Sequence, residues 1–285
     1  NFWDNVGTIL NRGVELSIKS RNLIGKFQWT TDLNVARNYN ELVDIGNYTP
    51  DAVSGGTNDS RVIVGRPVGS FFLVEHSHVD PENGLPVYLD LEGNETYDYN
   101  NDIRQYVGDG LPDLIGGMNN TFRYGNWDLS ALATFSIGAK IFDSSAKRQL
   151  GVVTGWNMRD EKLDRWRQPG DIATYPRLTL DETTYSLPSG FPWWNTSLFI
   201  FDASYLRLRN LTLGYNVPLG KDSGLQNCRI AVNATNVFTI TNFPGLDPEV
   251  VRDFENAQDR NMSPNVTYLT PPQERAFTLS ISTNF

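Results

Sequence analysis

The chain has 285 residues, 39% of them apolar, and a formal charge of −9 at pH 7; such a chain is not disordered, and its acidic balance, without any Lys/Arg-rich run, argues against nucleic acid as a partner. No window approaches the roughly 18 consecutive apolar residues that a membrane-spanning helix needs, so any crossing must be made by strands, whose apolar residues occupy only alternate positions. Cys228 is the only cysteine, which excludes a disulfide-rich scaffold.

Val14, Leu16 and Ile18 alternate with Glu15, Ser17 and Lys19, predicting a first strand over about 7–20. A turn at 22–25 leads to Phe27, Trp29, Thr31, Leu33 and Val35, alternating with Gln28, Thr30, Asp32 and Asn34, so the two runs read as a hairpin. A third strand is expected over 66–75. Residues 76–113 are loop-like and hold the only histidines, His76 and His78, read as solvated loop residues because no third metal ligand stands in a recognisable motif. Met118 to Tyr124 and Trp127 to Ile137 flank Gly125-Asn126, a two-residue hairpin turn. A long stretch over 139–198 follows, with a short helix expected over Arg159–Trp166.

Strand character returns at 199–217 and 227–241. Leu206 and Leu208 share one parity while Leu211, Leu213 and Tyr215 share the other, so either a β-bulge or a passage from one environment to another is expected near Arg209-Asn210. A Pro- and Asp-rich loop over 242–275 precedes Phe277, Leu279, Ile281 and Phe285, apolar positions alternating with polar ones. Tight turns at 22–25, 125–126 and about 219–226 thus alternate with long connections at 76–113, 139–198 and 242–275. Short turns at one end and long loops at the other are the arrangement of an outer-membrane barrel, whereas long loops inside a compact soluble domain are unusual. The expected fold is all-β: about eight to ten antiparallel strands of a transmembrane β-barrel. Glu15, Gln28, Asp32, Asn34, Asp128 and Asn233 would face the lumen, and Leu16, Trp29, Phe135, Ile230 and Ile281 would face lipid.

Several runs, in this order, carry a resemblance: Gly7-Thr8-Ile9-Leu10-Asn11-Arg12-Gly13-Val14-Glu15, Val64-Gly65-Arg66-Pro67-Val68-Gly69-Ser70-Phe71, Gly110-Leu111-Pro112-Asp113, and Trp166-Arg167-Gln168-Pro169-Gly170-Asp171. The most specific are Ser204-Tyr205-Leu206-Arg207-Leu208-Arg209-Asn210-Leu211-Thr212-Leu213-Gly214-Tyr215, Asn236-Val237-Phe238 and Gly245-Leu246-Asp247-Pro248-Glu249. Over nearly all of its length the chain resembles the C-terminal part of a SusC/RagA-type TonB-dependent outer-membrane transporter. The resemblance implies a place in the outer membrane of a Gram-negative cell and a ~22-stranded barrel whose plug and N-terminal strands lie outside this chain. It further implies active import of oligosaccharides or oligopeptides, a SusD-like surface lipoprotein over the long, extracellular loops, and TonB as the energy source. Phe277, Leu279, Ile281 and Phe285 would then form the barrel-assembly signal.

No catalytic constellation is present, since the acidic residues offer only chance pairs and no nucleophile elbow or phosphate loop occurs. Aromatics in the 139–198 insertion, Trp156, Trp166, Tyr185, Trp193 and Trp194, are candidates for stacking on a sugar or packing on a peptide or partner protein. The same rings also suit the loop's own small core. Asp90, Glu92 and Asn94 place oxygens at alternate positions as a Ca2+ loop does, but Gly93 sits earlier than such a loop wants it; no cofactor is otherwise expected. The alternative function is a secreted, soluble all-β carbohydrate-binding or adhesive module.

Overall fold

The computed structural model describes residues 7–49, 60–150, 157–178, 195–220, 224–251 and 263–284. Seven strands dominate them: β1 (Thr8–Ile24), β2 (Phe27–Asp44), β3 (Leu114–Tyr124), β4 (Trp127–Ile137), β5 (Tyr205–Asn216), β6 (Asn227–Thr241) and β7 (Ala276–Asn284). They form one antiparallel sheet in which each strand lies beside its neighbour in the chain. This up-and-down order is the wall of a barrel seen in part. Gly125, at φ 55°, supplies the left-handed residue of the two-residue turn between β3 and β4.

Register sorts the side chains into two faces. Phe27, Tyr124, Trp127, Tyr215, Ile230 and Ile281 stand opposite one another in a single row beside the tight turns. Trp29, Phe122, Leu129, Leu213, Val232 and Leu279 form the next row. Farther from the turns, Val35, Gly116, Phe135, Leu206 and Ile240 form another. The eight residue steps from Phe27 to Val35 span about 27 Å at ~3.4 Å per residue. At a strand tilt of about 40° that is about 21 Å of height, close to the apolar band of an outer-membrane barrel. The aromatic row lies at the turn-side edge, with Trp127 and Tyr215 ring centroids 4.6 Å apart, where an interfacial girdle belongs. Among the described residues no layer covers this face: Phe277, Leu279 and Ile281 are 71%, 68% and 67% exposed.

Near Arg209-Asn210 the structure has the bulge. Leu208 pairs with Ala133 and Asn210 with Leu132, so Arg209 is the extra residue on β5. It restores the phase, keeping Leu206 and Leu208 on the same face as Leu211 and Leu213 although their parities differ.

The connections fold more than their composition suggests. The expected third barrel strand over 66–75 is instead the short strand Ser70–Leu73, paired with Ser60–Arg61 and Gln105–Asp109; Gly65 and Gly69, both at positive φ, turn the chain before it can extend. Glu75–Val79, Pro86–Leu89 and Glu95–Thr96 make a second small sheet. Lys140–Asp143 joins Ile200–Asp202 and, in parallel, Val266–Thr267. The helix expected over Arg159–Trp166 is a single 3-10 turn, Asp160–Leu163. The fully buried core, including Phe71, Leu73, Tyr88, Tyr99, Phe142, Leu150, Phe199 and Val266, lies among these connections and not behind the large sheet.

Gly116 allows the Phe135 ring to lie across β3, because a Cβ there would sit 2.6 Å from that ring and 2.4 Å from the Asn34 carbonyl oxygen. Gly116→Val is expected to destabilise the wall by about 1–3 kcal/mol through overpacking, read as an earlier midpoint in urea unfolding of the folded barrel.

Candidate functional site

The face opposite the apolar rows is polar and built from short side chains. Thr30, Thr121, Ser130, Thr212, Asn233 and Thr278 form one row across six strands. Ser130 donates to Asn119 at 3.1 Å and Thr212 to Asn233 at 2.8 Å, so the wall satisfies part of its own hydrogen bonding. Gln28, Arg123 and Asp128 share a row near the turns. There Arg229 lies across β5 to donate from Nη2 to Asp128 at 2.7 Å, over Gly214, where any Cβ would meet the guanidinium. Glu15, Asp32 and Asn34 also stand on this face, and Lys19 pairs with Asp32 at 3.4 Å. The lumen and lipid assignments read from parity therefore agree with the register.

At the loop end of this wall, the bulge brings Arg207 and Arg209 together on the polar face. The connection after β6 folds back over them. Arg207 donates to Asp247 at 2.6 Å and reaches Glu249 at 3.1 Å. Arg209 contacts Glu249 at 2.5 Å and Gln273 at 2.9 Å. Arg207 and Asp247 are only 2% and 6% exposed. Burial alone would push the Asp247 carboxyl up, but the Arg207 guanidinium and the N–H groups of Glu249 and Gln273 outweigh it and hold the carboxyl below its ordinary value. The two runs Ser204–Tyr215 and Gly245–Glu249, which carry the resemblance, are thus held together by ion pairs. Two arginines two apart at a phase change were the available signal; their acidic partners, 40 residues on, carried none.

Above this clamp lies a recess of about 430 Å3 between described residues of 143–161 on one side and 244–247 and 267–270 on the other. Its lining includes Asp143, Arg159, Glu161, Leu246, Asp247 and Leu269. Arg159 crosses its floor, donating to Asp143 at 2.7 Å and Gln149 at 2.7 Å. Leu246 and Leu269 remain exposed at its edge.

Of the five loop aromatics, only Trp166 falls within the described residues; Trp156, Tyr185, Trp193 and Trp194 lie outside them, as does Phe285. Trp166 donates from Nε1 to the Pro81 carbonyl at 2.7 Å, and its ring covers Gly84, so it joins two connections to each other. Phe277, Leu279 and Ile281 stand on the apolar face opposite Ala234, Val232 and Ile230. His76 packs edge-on against Tyr88, and burial pushes its pKa down to about 4; His78 sits near Glu95 at the surface. Asp90 accepts from the N–H groups of Glu92 at 3.0 Å and Asn94 at 2.8 Å, so its carboxylate caps a turn. Among the described residues no group of three acidic, His or Cys side chains has metal-holding geometry.

Lys162 is buried beside Tyr175 and donates to the carbonyls of Leu150 at 2.5 Å and Pro176 at 3.4 Å. Burial, with a smaller push from Arg165, lowers its pKa to about 7. The unfolded amine titrates near ~10.4, so between these values the unfolded chain holds more protons and local stability rises with pH; below about 7 it stays at its lower level. Amide exchange over 157–178, corrected for intrinsic rate, is expected to be slower at about pH 9 than at about pH 6.5, and Lys162→Met should abolish that difference. Arg207→Met leaves Asp247 buried without its partner, an expected loss of about 3–5 kcal/mol. Its signature is fast exchange over 244–251 while the β1–β4 ladder stays protected.

No family model matches the chain. It is 30% identical over 306 aligned residues to the TonB-dependent receptor P3 of Formosa agariphila, covering 99% of this chain and 29% of that protein. It is 27% identical to the TonB-dependent receptor SusC of Bacteroides thetaiotaomicron, covering 86% of this chain and 24% of SusC. Among solved structures, the RagAB peptide transporter superposes with a TM-score of 0.78 at 20% identity, over 97% of this chain and 29% of that one. The chain therefore spans under a third of the length of the relatives it matches. The register, the two-faced wall and these likenesses agree: over nearly all of its length the chain is similar to a β-barrel segment of the TonB-dependent receptors, SusC among them, and has the fold of the corresponding part of the RagAB transporter.

Proposed function

We propose that this segment forms part of the wall and mouth of an importer that takes up oligosaccharides or oligopeptides, with TonB supplying energy and a SusD-like lipoprotein resting on the long loops. The observation that supports this best is the clamp: Arg207 and Arg209 hold an inward-folded connection against the polar wall, below a recess with the volume of a ligand site. A barrel that merely sealed the membrane would not need a buried ion-paired structure at its mouth. The work is passage and not catalysis. The soluble-module alternative leaves the uncovered row of Phe277, Leu279 and Ile281 beside Val232 without a purpose.

The test is uptake by cells carrying or lacking the full-length transporter. Fluorescent oligosaccharides and oligopeptides of graded length are expected to enter only with the transporter, and only with functional TonB. Uptake of both classes unchanged by loss of the transporter, or indifferent to TonB, would overturn the reading. Protease added to intact cells is expected to cut within 139–198 once the lipoprotein is removed. An uncut insertion with and without that lipoprotein would contradict its outward placement.

A further inference from the structure

Positive charge is distributed unevenly over the two faces of the wall. Along β1–β7 the register turns Lys19, Arg21, Arg123, Arg207, Arg209 and Arg229 toward the polar side. Arg12 and Arg37 are the other two cations of these strands, and both stand on the apolar side, in the rows that follow Leu16 and Val35 toward the loops. Val14 pairs with Arg37 and Arg12 with Tyr39, so the two arginines are diagonal neighbours on one hairpin. Arg37 lies two residue steps beyond Val35 and the Arg12–Tyr39 pair four. At ~3.4 Å per residue and a tilt of about 40°, these rows stand about 5 Å and 10 Å above the Val35 row. That is the height of lipid headgroups, which occupy roughly 5–8 Å on each side of the hydrocarbon.

Neither arginine is ion-paired among the described residues. The Arg12 guanidinium lies 4.5 Å from the centroid of the Tyr39 ring, and the Tyr39 hydroxyl donates to Glu41 at 2.8 Å. Glu41 stands one row farther from the apolar band, so the nearest carboxylate on this face is held on the side away from the membrane. Two free cations at the edge of hydrocarbon call for a counter-charge at the same height. Diagonal neighbours on a strand pair are about 7–8 Å apart, which lets two guanidinium forks hold one phosphate from both sides. A dissolved anion would have to be captured from water, whereas a lipid phosphate is already fixed at this level. Below the arginines, Val14, Leu16 and Ile18 are 76%, 53% and 45% exposed and continue into the apolar band, as a track for acyl chains. We propose that Arg12 and Arg37 bind the phosphate of an outer-leaflet glycolipid, lipid A, with its acyl chains lying along Val14, Leu16 and Ile18. The proposal rests on the barrel reading with the long loops outward, but not on what is imported.

The test uses the full-length transporter in detergent, with bound lipid read by native mass spectrometry. The probes are bisphosphorylated lipid A, its dephosphorylated form, phosphatidylglycerol and inorganic phosphate. Lipid A is expected to bind about tenfold more tightly than its dephosphorylated form, as the loss of a charge-assisted contact would give. Arg12→Gln combined with Arg37→Gln, checked for barrel folding by heat-modifiable mobility, is expected to erase that preference. Arg12→Lys with Arg37→Lys should keep part of it, and Arg21→Gln, on the inward face, should leave it intact. Equal binding of the two lipid A forms means that acyl chains alone hold the lipid, and overturns the proposal. Phosphatidylglycerol bound as well as lipid A overturns the choice of lipid and the outward placement of this end. Ready displacement of lipid A by inorganic phosphate means a site for a free anion, and overturns the lipid assignment. A Gln pair that changes only the ratio of dimer to monomer means that a second copy covers the arginines, and also overturns it. The comparison of the two lipid A forms needs no variant, so it stands if the Gln pair misfolds. Uptake enters none of these measurements, so failure of the import reading does not touch this outcome.

Discussion

The hydrogen-bonded pairing that links each strand to the next from β1 to β7 is the constraint on which everything else here depends. A lipid environment offers backbone N–H and C=O groups no alternative partner, so every strand must be fully paired with its neighbours. Pairing at fixed register then dictates which side chains share a row, and period two dictates which face each row joins. The aromatic edge, the aliphatic band and the Ser/Thr/Asn wall follow from that geometry with little further help from packing. Among the described residues the large sheet accordingly has no buried apolar core of its own. Its apolar side is stabilised by the membrane, and the cluster around Phe71, Tyr88, Phe142 and Phe199 serves the connections instead.

Two stabilities are consequently combined in one chain. The wall is held by backbone bonds and by lipid; the connections are held by a conventional apolar core and by a few buried polar anchors. Where they meet, neither mechanism suffices, and the ion pairs of Arg207 and Arg209 with Asp247 and Glu249 make the join. A buried ion pair is a poor source of net stability compared with apolar packing, but it is a good way to specify one docking position. That suits the water-facing end of the wall, where the surface must be polar.

How much of this was legible in the sequence follows from the range of the interactions involved. Strand positions, the Gly125-Asn126 turn and the bulge at Arg209 were legible because each depends on residues within a few positions of one another. The two faces were legible for the same reason. The interior of the connections was not. Ser70–Leu73 pairs with Gln105–Asp109 across more than thirty residues, Phe142 pairs in parallel with Val266, and Trp166 closes on Gly84. None of these partners leaves a periodic trace. The acidic half of the mouth clamp was quoted as a motif without a role, because a carboxylate in a Pro-rich loop looks solvated until its arginine is known.

The extra residue at 209 also makes the whole arrangement a matter of counting. Before it, odd positions of β5 face inward; after it, even positions do. If the strand were one residue shorter at this point, either Leu211, Leu213 and Tyr215 would turn toward water, or Leu206 and Leu208 would do so and carry Arg207 into hydrocarbon. A single codon therefore maintains both the membrane seal and the charged mouth. The length of this strand is under a tighter constraint than the identity of most of the side chains along it.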